Sequence, residues 1–227
     1  MLLKNNQQRA KIAIIFLIII LVLESISILF SYIEYDLLKR VYNDLDFSLG
    51  EIESIETKHG VLLFIYMILY AICAISVVLW FSRAYQNLHN VVNYLNYKPF
   101  WATWSWLVPF INLFYPYRIM NELFVETKKV LSNRNISFRS TMPLWIIGVW
   151  WFLWIINALV DRIIFKIYFK GEELEDLMIV NLGNIFISIG SILTGLLLIK
   201  IIVEYSKLEN LLFQESKKET ISENTIV

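Results

Sequence analysis

The sequence predicts an all-α integral membrane protein: a four-helix bundle with amphipathic cytoplasmic helices and an interfacial or re-entrant segment rich in Trp and Pro. Three observations carry that expectation. Of 227 residues, 58% are hydrophobic and only 18% are charged, against about 45–50% and about 25% in soluble domains. Four apolar runs, 12–33, 61–81, 144–165 and 179–199, reach the roughly 20 residues a helix needs to cross a bilayer. Lys and Arg are also distributed unevenly among the segments that join these runs. Seven Gly and a single Cys73 exclude collagen and a disulfide scaffold. Lys+Arg 20 against Asp+Glu 20 leaves no basic excess, so no nucleic-acid partner is expected.

Residues 1–11 place Lys4, Arg9 and Lys11 before the first run. A basic start, an apolar core at 12–23 and small residues at Ser25 and Ser27 also fit a cleavable signal peptide. Ile28, Leu29 and Phe30 prolong the run, so a retained anchor is expected. With the N-terminus inside, four spans leave fourteen Lys and Arg on the inner side and six outside. Making 99–117 a fifth span reverses the bias, with eight inside and twelve outside. The positive-inside rule therefore selects four spans in the cell (inner) membrane, with both termini cytoplasmic.

Two outer loops follow, at 34–60 and 166–178. The first carries Glu34, Asp36, Asp44, Asp46, Glu51, Glu53 and Glu56, and the second Glu172, Glu173, Glu175 and Asp176. Solvation of the loops is the leading reading of these acids, with a divalent-cation site among them as the alternative. They lack the spacing of a calcium loop, so no metal or cofactor is expected. The cytoplasmic segment 82–143 is read as two amphipathic helices. The first is expected over 83–97, from Tyr85, Leu88, Val92 and Leu95 at helical spacing, and Pro99 ends it. The second is expected over 118–131, with Ile119, Leu123, Thr127 and Val130 on one stripe and a Glu126–Lys129 pair on the wet face. The tail, 200–227, is expected to fray from Glu215. Two helix exits share Tyr-x-x-Leu, at Tyr85/Leu88 and Tyr205/Leu208, a faint internal repeat.

The strings RAYQNL (83–88) and WATWSWLVPFINLFYPYRIMNEL (101–123), followed by the Trp-rich run with Trp145, Trp150, Trp151 and Trp154, resemble DUF4328, a bacterial membrane family of unknown function. The resemblance covers roughly 61–202. It implies a multi-pass bacterial membrane protein and transfers no activity, substrate or catalytic residue.

Ten of the 24 residues from 94 to 117 are aromatic. Trp and Tyr rings favour headgroup level, where the ring is buried and its N–H or O–H stays wet. Pro109 and Pro116 interrupt backbone hydrogen bonding, which is tolerable only where the segment packs on protein. One reading is a belt that anchors the helices. The sharper one is a cap contacting lipid or ligand, built on Arg83, Tyr85, Asn87, Trp101, Trp104, Trp106, Pro109, Asn112, Pro116, Tyr117 and Arg118, with Arg83, Arg118 or Asn112 holding a headgroup.

Within the spans, Glu24 is the one deeply placed acid, and a carboxylate at mid-bilayer costs at least ~2.5 kcal/mol. At ~1.5 Å per residue, Glu24, Tyr66, Tyr70, Asn157, Asn184 and Ser188 can share one layer, roughly 16–22 Å from the inner edge. Glu24 is expected beside Asn157 and Asn184 as structural glue between helices or as a proton- or cation-linked site, with a Glu24 that faces a partner protein as the third reading. Catalytic signals are poor. His59 and His89 fall on opposite sides of this topology, Cys73 reads as a packing residue, and no Gly-rich phosphate loop, nucleophile elbow or HExxH occurs. The leading expectation is a non-enzymatic component that binds membrane lipids, a protein partner or a second copy of itself through its aromatic cap. The alternative is a small transporter or channel-like protein built on the Glu24 layer.

Overall fold

A computed structural model describes residues 3–43, 45, 49–138, 142–171 and 173–225. The elements are α1 (Gln7–Tyr42), α2 (Leu49–His89), α3 (Trp101–Trp104), a 3-10 turn (Ile111–Leu113), α4 (Tyr115–Asn133), α5 (Trp145–Lys170) and α6 (Leu174–Thr225). Every regular element among the described residues is helical. Helices α1, α2, α5 and α6 each contain a stretch long and apolar enough to cross a membrane, and only 17–33% of each stretch is buried. Val22, Leu29, Phe64, Met67, Phe165 and Phe186 are among the large apolar side chains left exposed. Water-soluble monomers rarely leave that much apolar surface open. Four such helices belong to a membrane protein.

The helices outrun the apolar runs, and this corrects several expected boundaries. Helix α1 has 36 residues, α2 41 and α6 52. At ~1.5 Å per residue, 36 residues span about 54 Å, well beyond a core of about 30 Å. Most of the expected outer loop 34–60 is therefore helical, and only 43–48 separate α1 from α2. Likewise α5 continues to Lys170, α6 starts at Leu174, and the tail expected to fray is helical to Thr225. Glu, Lys and Leu dominate these extensions and are good helix formers in water. Asp44, Asp46 and Glu172, and the side chains of Glu51, Glu53, Glu56 and His59, lie outside the described residues.

The chain forms two compact units. One comprises Phe16–Ile72 and Phe152–Leu196. Its helices approach closely at small residues: a Cβ added to Gly183 would collide with Ile164, one at Gly190 with the Asn157 amide oxygen, and one at Gly195 would lie 2.7 Å from Leu21. Small residues permit such contacts where no hydrophobic force drives helices together in lipid. Asn157 donates to the Ile187 carbonyl at 3.1 Å and to Ser191 Oγ at 2.9 Å, joining α5 to α6. Tyr42 donates to Glu175 at 2.8 Å, joining α1 to α6.

The other unit comprises Met1–Ile15, Cys73–Trp151 and Leu197–Val227. Its core is aromatic. Trp80 meets Tyr205 edge-on at 6.1 Å, Phe81 meets Trp106 at 5.7 Å, and Trp106 meets Trp151 at 6.0 Å. Both Tyr-x-x-Leu exits serve this core: Tyr85, Leu88, Tyr205 and Leu208 are all buried. Helix α4 lays Ile119, Leu123, Thr127 and Val130 inward, as its periodicity predicts, and Glu126 pairs with Lys129 at 3.5 Å. Thr127 Oγ1 lies 3.3 Å from the Tyr205 hydroxyl, tying α4 to α6. On the same flank, burial pushes the Lys128 pKa down while the charge of Glu204 pulls it back.

Candidate functional site

The site grows from the last two turns of α2, where the RAYQNL string lies. Phe81, Ala84, Tyr85 and Leu88 recur at helical spacing and are buried. That leaves Arg83, Asn87 and His89 on neighbouring faces. Asn87 Nδ2 donates to the Lys4 carbonyl at 2.8 Å and its Oδ1 accepts from the Lys4 amide at 3.0 Å. The side chain thus pairs with the N-terminal backbone as a neighbouring peptide would. Asn87 Nδ2 also reaches Glu209 at 2.7 Å. Asn6 donates to the other Glu209 oxygen at 3.0 Å and to the Trp80 carbonyl at 3.1 Å. Glu209 is buried, and two amides take up both of its oxygens.

A second carboxylate closes the other flank. Tyr85 Oη donates to Glu122 at 2.6 Å, and Asn96 brings both its backbone amide (2.8 Å) and its side-chain amide (2.6 Å) to the same group. These bonds hold 90–98 as an irregular loop. The amphipathic helix expected over 83–97 therefore stops at His89. Asn90, Val91, Val92 and Asn93 are weak helix formers, and Glu122 offers the loop hydrogen bonds that a helix would not. His89 Nε2 lies 2.9 Å from the Tyr97 carbonyl. A carbonyl only accepts, so Nε2 carries the proton.

Segment 99–117 does not form the continuous helix a fifth span requires. Helix α3 spans four residues and the 3-10 turn three. Thr103 ties α3 to Ser82 at 2.9 Å, and Trp151 Nε1 donates to the Leu113 carbonyl at 2.9 Å. Between these ties, Ile111 N–H bonds the Pro109 carbonyl at 2.8 Å, with Phe110 at φ 63° and ψ −41°. This is a γ-turn with positive φ at its centre, a rare and strained form, and a bulky side chain makes it costlier. Yet Phe110 is 81% exposed and its neighbour Leu107 68%. Strain of order 1–3 kcal/mol persists only where surrounding structure enforces it.

The residues singled out in the sequence divide accordingly. Arg83, Tyr85 and Asn87 converge with Lys4, Glu122 and Glu209. Trp101 and Trp106 pack against Tyr115 and Trp151, and Pro116 is buried. Trp104, Pro109 and Arg118 are exposed; Asn112 and Tyr117 are half-buried, with the Tyr117 hydroxyl beside Gly148. A cleft of about 470 Å³ opens beside α2, lined by Lys4, Arg83, Gln86, Asn87, His89, Asn90 and Pro99. Of the three headgroup candidates, only Arg83 lines it. Lys4, Asn6, Glu122 and Glu209 escaped the sequence reading. The one available signal was Glu122 standing beside the apolar stripe of α4.

In the other unit, Glu24 is buried and accepts from the Tyr66 hydroxyl at 2.7 Å. Tyr70 stacks on Tyr66 at 5.7 Å. Asn157 turns instead to Ile187 and Ser191, while Asn184 is half-buried and Ser188 buried on α6. Among the described residues, the hydrogen bond to Glu24 comes from Tyr66 and not from the asparagines.

No curated protein and no solved structure matches this chain. The family model described as Domain of unknown function (DUF4328) matches residues 46–207. That reaches further than 61–202 and takes in the start of α2 and the Tyr205 exit. Covering most of the chain, the match shows that this protein belongs to the DUF4328 family.

Proposed function

We propose that this protein is a non-enzymatic, multi-pass component of the cell membrane that binds lipid through its Trp- and Pro-rich segment, with both termini cytoplasmic. The observation that carries this reading is the γ-turn at Phe110. A strained backbone holds a large aromatic ring out, and Trp104, Leu107 and Phe114, near it in sequence, are exposed as well. In water such a tip would be a liability, whereas in the headgroup and upper acyl region burial of each ring is favourable. Because the chain carries four membrane-length apolar helices, a bilayer is the nearest apolar phase. Phe110→Cys in a Cys73→Ser background, labelled with an environment-sensitive fluorophore, tests it. In vesicles the emission should shift to the blue and be quenched by spin-labelled lipid. Emission as in water would defeat the reading.

The second reading, a small transporter or channel-like protein, is favoured by the buried Glu24–Tyr66 pair. Glu24→Gln should abolish transport on that reading and leave lipid binding unchanged on the first.

A further inference from the structure

We propose that the cleft beside α2 is a binding site for a phosphate group, a phosphomonoester or phosphodiester anion gripped by Arg83 and Lys4. The proposal rests on the membrane reading above only for the source of that group.

The charge balance points to an anion. Among the described residues, Lys4, Arg9 and Arg83 make no ion pair. Arg9 and Arg83 stand close enough to repel one another. The carboxylate that acts on Arg83, Glu209, is engaged through both oxygens by the Asn6 and Asn87 amides. The Arg83 guanidinium therefore keeps its planar fork of donors for an incoming group, and that fork matches two phosphate oxygens. Arg9 is less available, since it donates to the Leu79 carbonyl at 3.0 Å.

The cleft is also held in shape. Lys4 is an exposed side chain on a fixed backbone, because Asn87 clamps both of its peptide groups. The His89 ring is held by the Tyr97 carbonyl and sits edge-on to Tyr85 at 4.8 Å. Gln86 and Asn90 add exposed amides that can donate to further oxygens. Such preorganisation lowers the cost of ordering the site on binding. A cavity of about 470 Å³ is in the range of small-molecule sites. Arg83 stands two residues beyond the apolar run 61–81, and Lys4 precedes the run 12–33. Both therefore stand where the phosphates of a lipid leaflet would be.

The test uses the full-length protein in detergent. Native mass spectrometry compares retained phosphatidylglycerol with phosphatidylcholine, and calorimetry titrates inorganic phosphate. Wild type should prefer phosphatidylglycerol, and both Lys4→Gln and Arg83→Gln should weaken that preference about tenfold, with Arg83→Lys in between. Lys4→Gln removes only an exposed ammonium and keeps both backbone bonds, so misfolding cannot explain its loss. If inorganic phosphate binds in an Arg83-dependent way without lipid preference, the site stands and its ligand is a soluble phosphate compound. If neither probe binds, or both glutamine variants bind as wild type does, the proposal is overturned. Phe110→Ser should leave phosphatidylglycerol preference intact. A water-exposed Phe110 label with an intact Arg83-dependent site would sink the aromatic-tip reading and spare this one.

Discussion

The Asn87 side chain pairs with both backbone groups of Lys4, donating to its carbonyl at 2.8 Å and accepting from its amide at 3.0 Å. It makes a third bond to Glu209. Asn87→Ala removes all three, and a net hydrogen bond is worth about 0.5–1.5 kcal/mol. A loss of about 2–4 kcal/mol is expected, read by thermal unfolding in detergent. Hydrogen exchange should rise first at residues 3–10. Asn87→Asp should be worse, since it would set a second carboxylate against Glu209.

Tyr85, Glu122 and Asn96 form one hydrogen-bonded group. Glu122→Gln keeps one carbonyl oxygen for Asn96, and the Tyr85 hydroxyl can turn to the Tyr97 carbonyl, already 3.0 Å away. That variant should be mild. Glu122→Ala removes the acceptor shared by the buried Tyr85 and the exposed Asn96 and should cost about 1–3 kcal/mol. The check is exchange at the Asn96 amide, which should stay protected in the first variant and open in the second.

Gly190 and Asn157 are coupled through space. Gly190→Ala should force the Asn157 amide to rotate away from Ile187 and Ser191. Overpacking of this kind costs about 1–3 kcal/mol, whereas Asn157→Ala alone should cost nearer 0.6 kcal/mol, the average for hydrogen bonds between membrane helices. The double variant Gly190→Ala/Asn157→Ala should be more stable than the sum of its parts. Unfolding in mixed micelles measures the cycle, and strict additivity would refute the coupling.

Glu24 needs a donor, and Tyr66 supplies it at 2.7 Å. Glu24→Gln preserves a carbonyl acceptor and should leave stability unchanged or slightly raised. Tyr66→Phe leaves the buried acid without that bond and should cost about 1–3 kcal/mol. Glu24→Lys should prevent stable insertion, because it puts an ammonium into the buried layer that Glu24 occupies beside Tyr66. The yield of folded protein in membranes reads all three variants.

A topology reporter inserted within 132–141 should read cytoplasmic. An outside signal there would contradict the four-span topology.

Some of this was legible residue by residue. Transfer of a side chain into lipid depends mainly on that side chain, so composition alone marked the four apolar runs. The stripe on α4 followed from the 3.6-residue period. The helix ends were not legible, because hydropathy marks where lipid begins and not where backbone hydrogen bonding stops. Charged residues such as Glu and Lys continue a helix into water at little cost, which is why 34–60 and the tail look like loop and fray in the sequence and yet are largely helical. Conversely, the helix expected over 83–97 stops at His89, because a carboxylate at Glu122 competes for its backbone.

Residue order alone establishes the membrane class, the number of apolar helices, the family, and the concentration of Trp and Pro at 99–117. What those residues do together depends on how the helices pack. Asn6 and Glu209 are 203 positions apart, and Asn87 and Lys4 are 83 apart. No local pattern announces either pair, since each hydrogen bond exists only after the helices have packed. The γ-turn at Phe110 is of the same kind. A strained φ is unfavourable on its own sequence, and it survives because Thr103 and Trp151 fasten the segment on both sides.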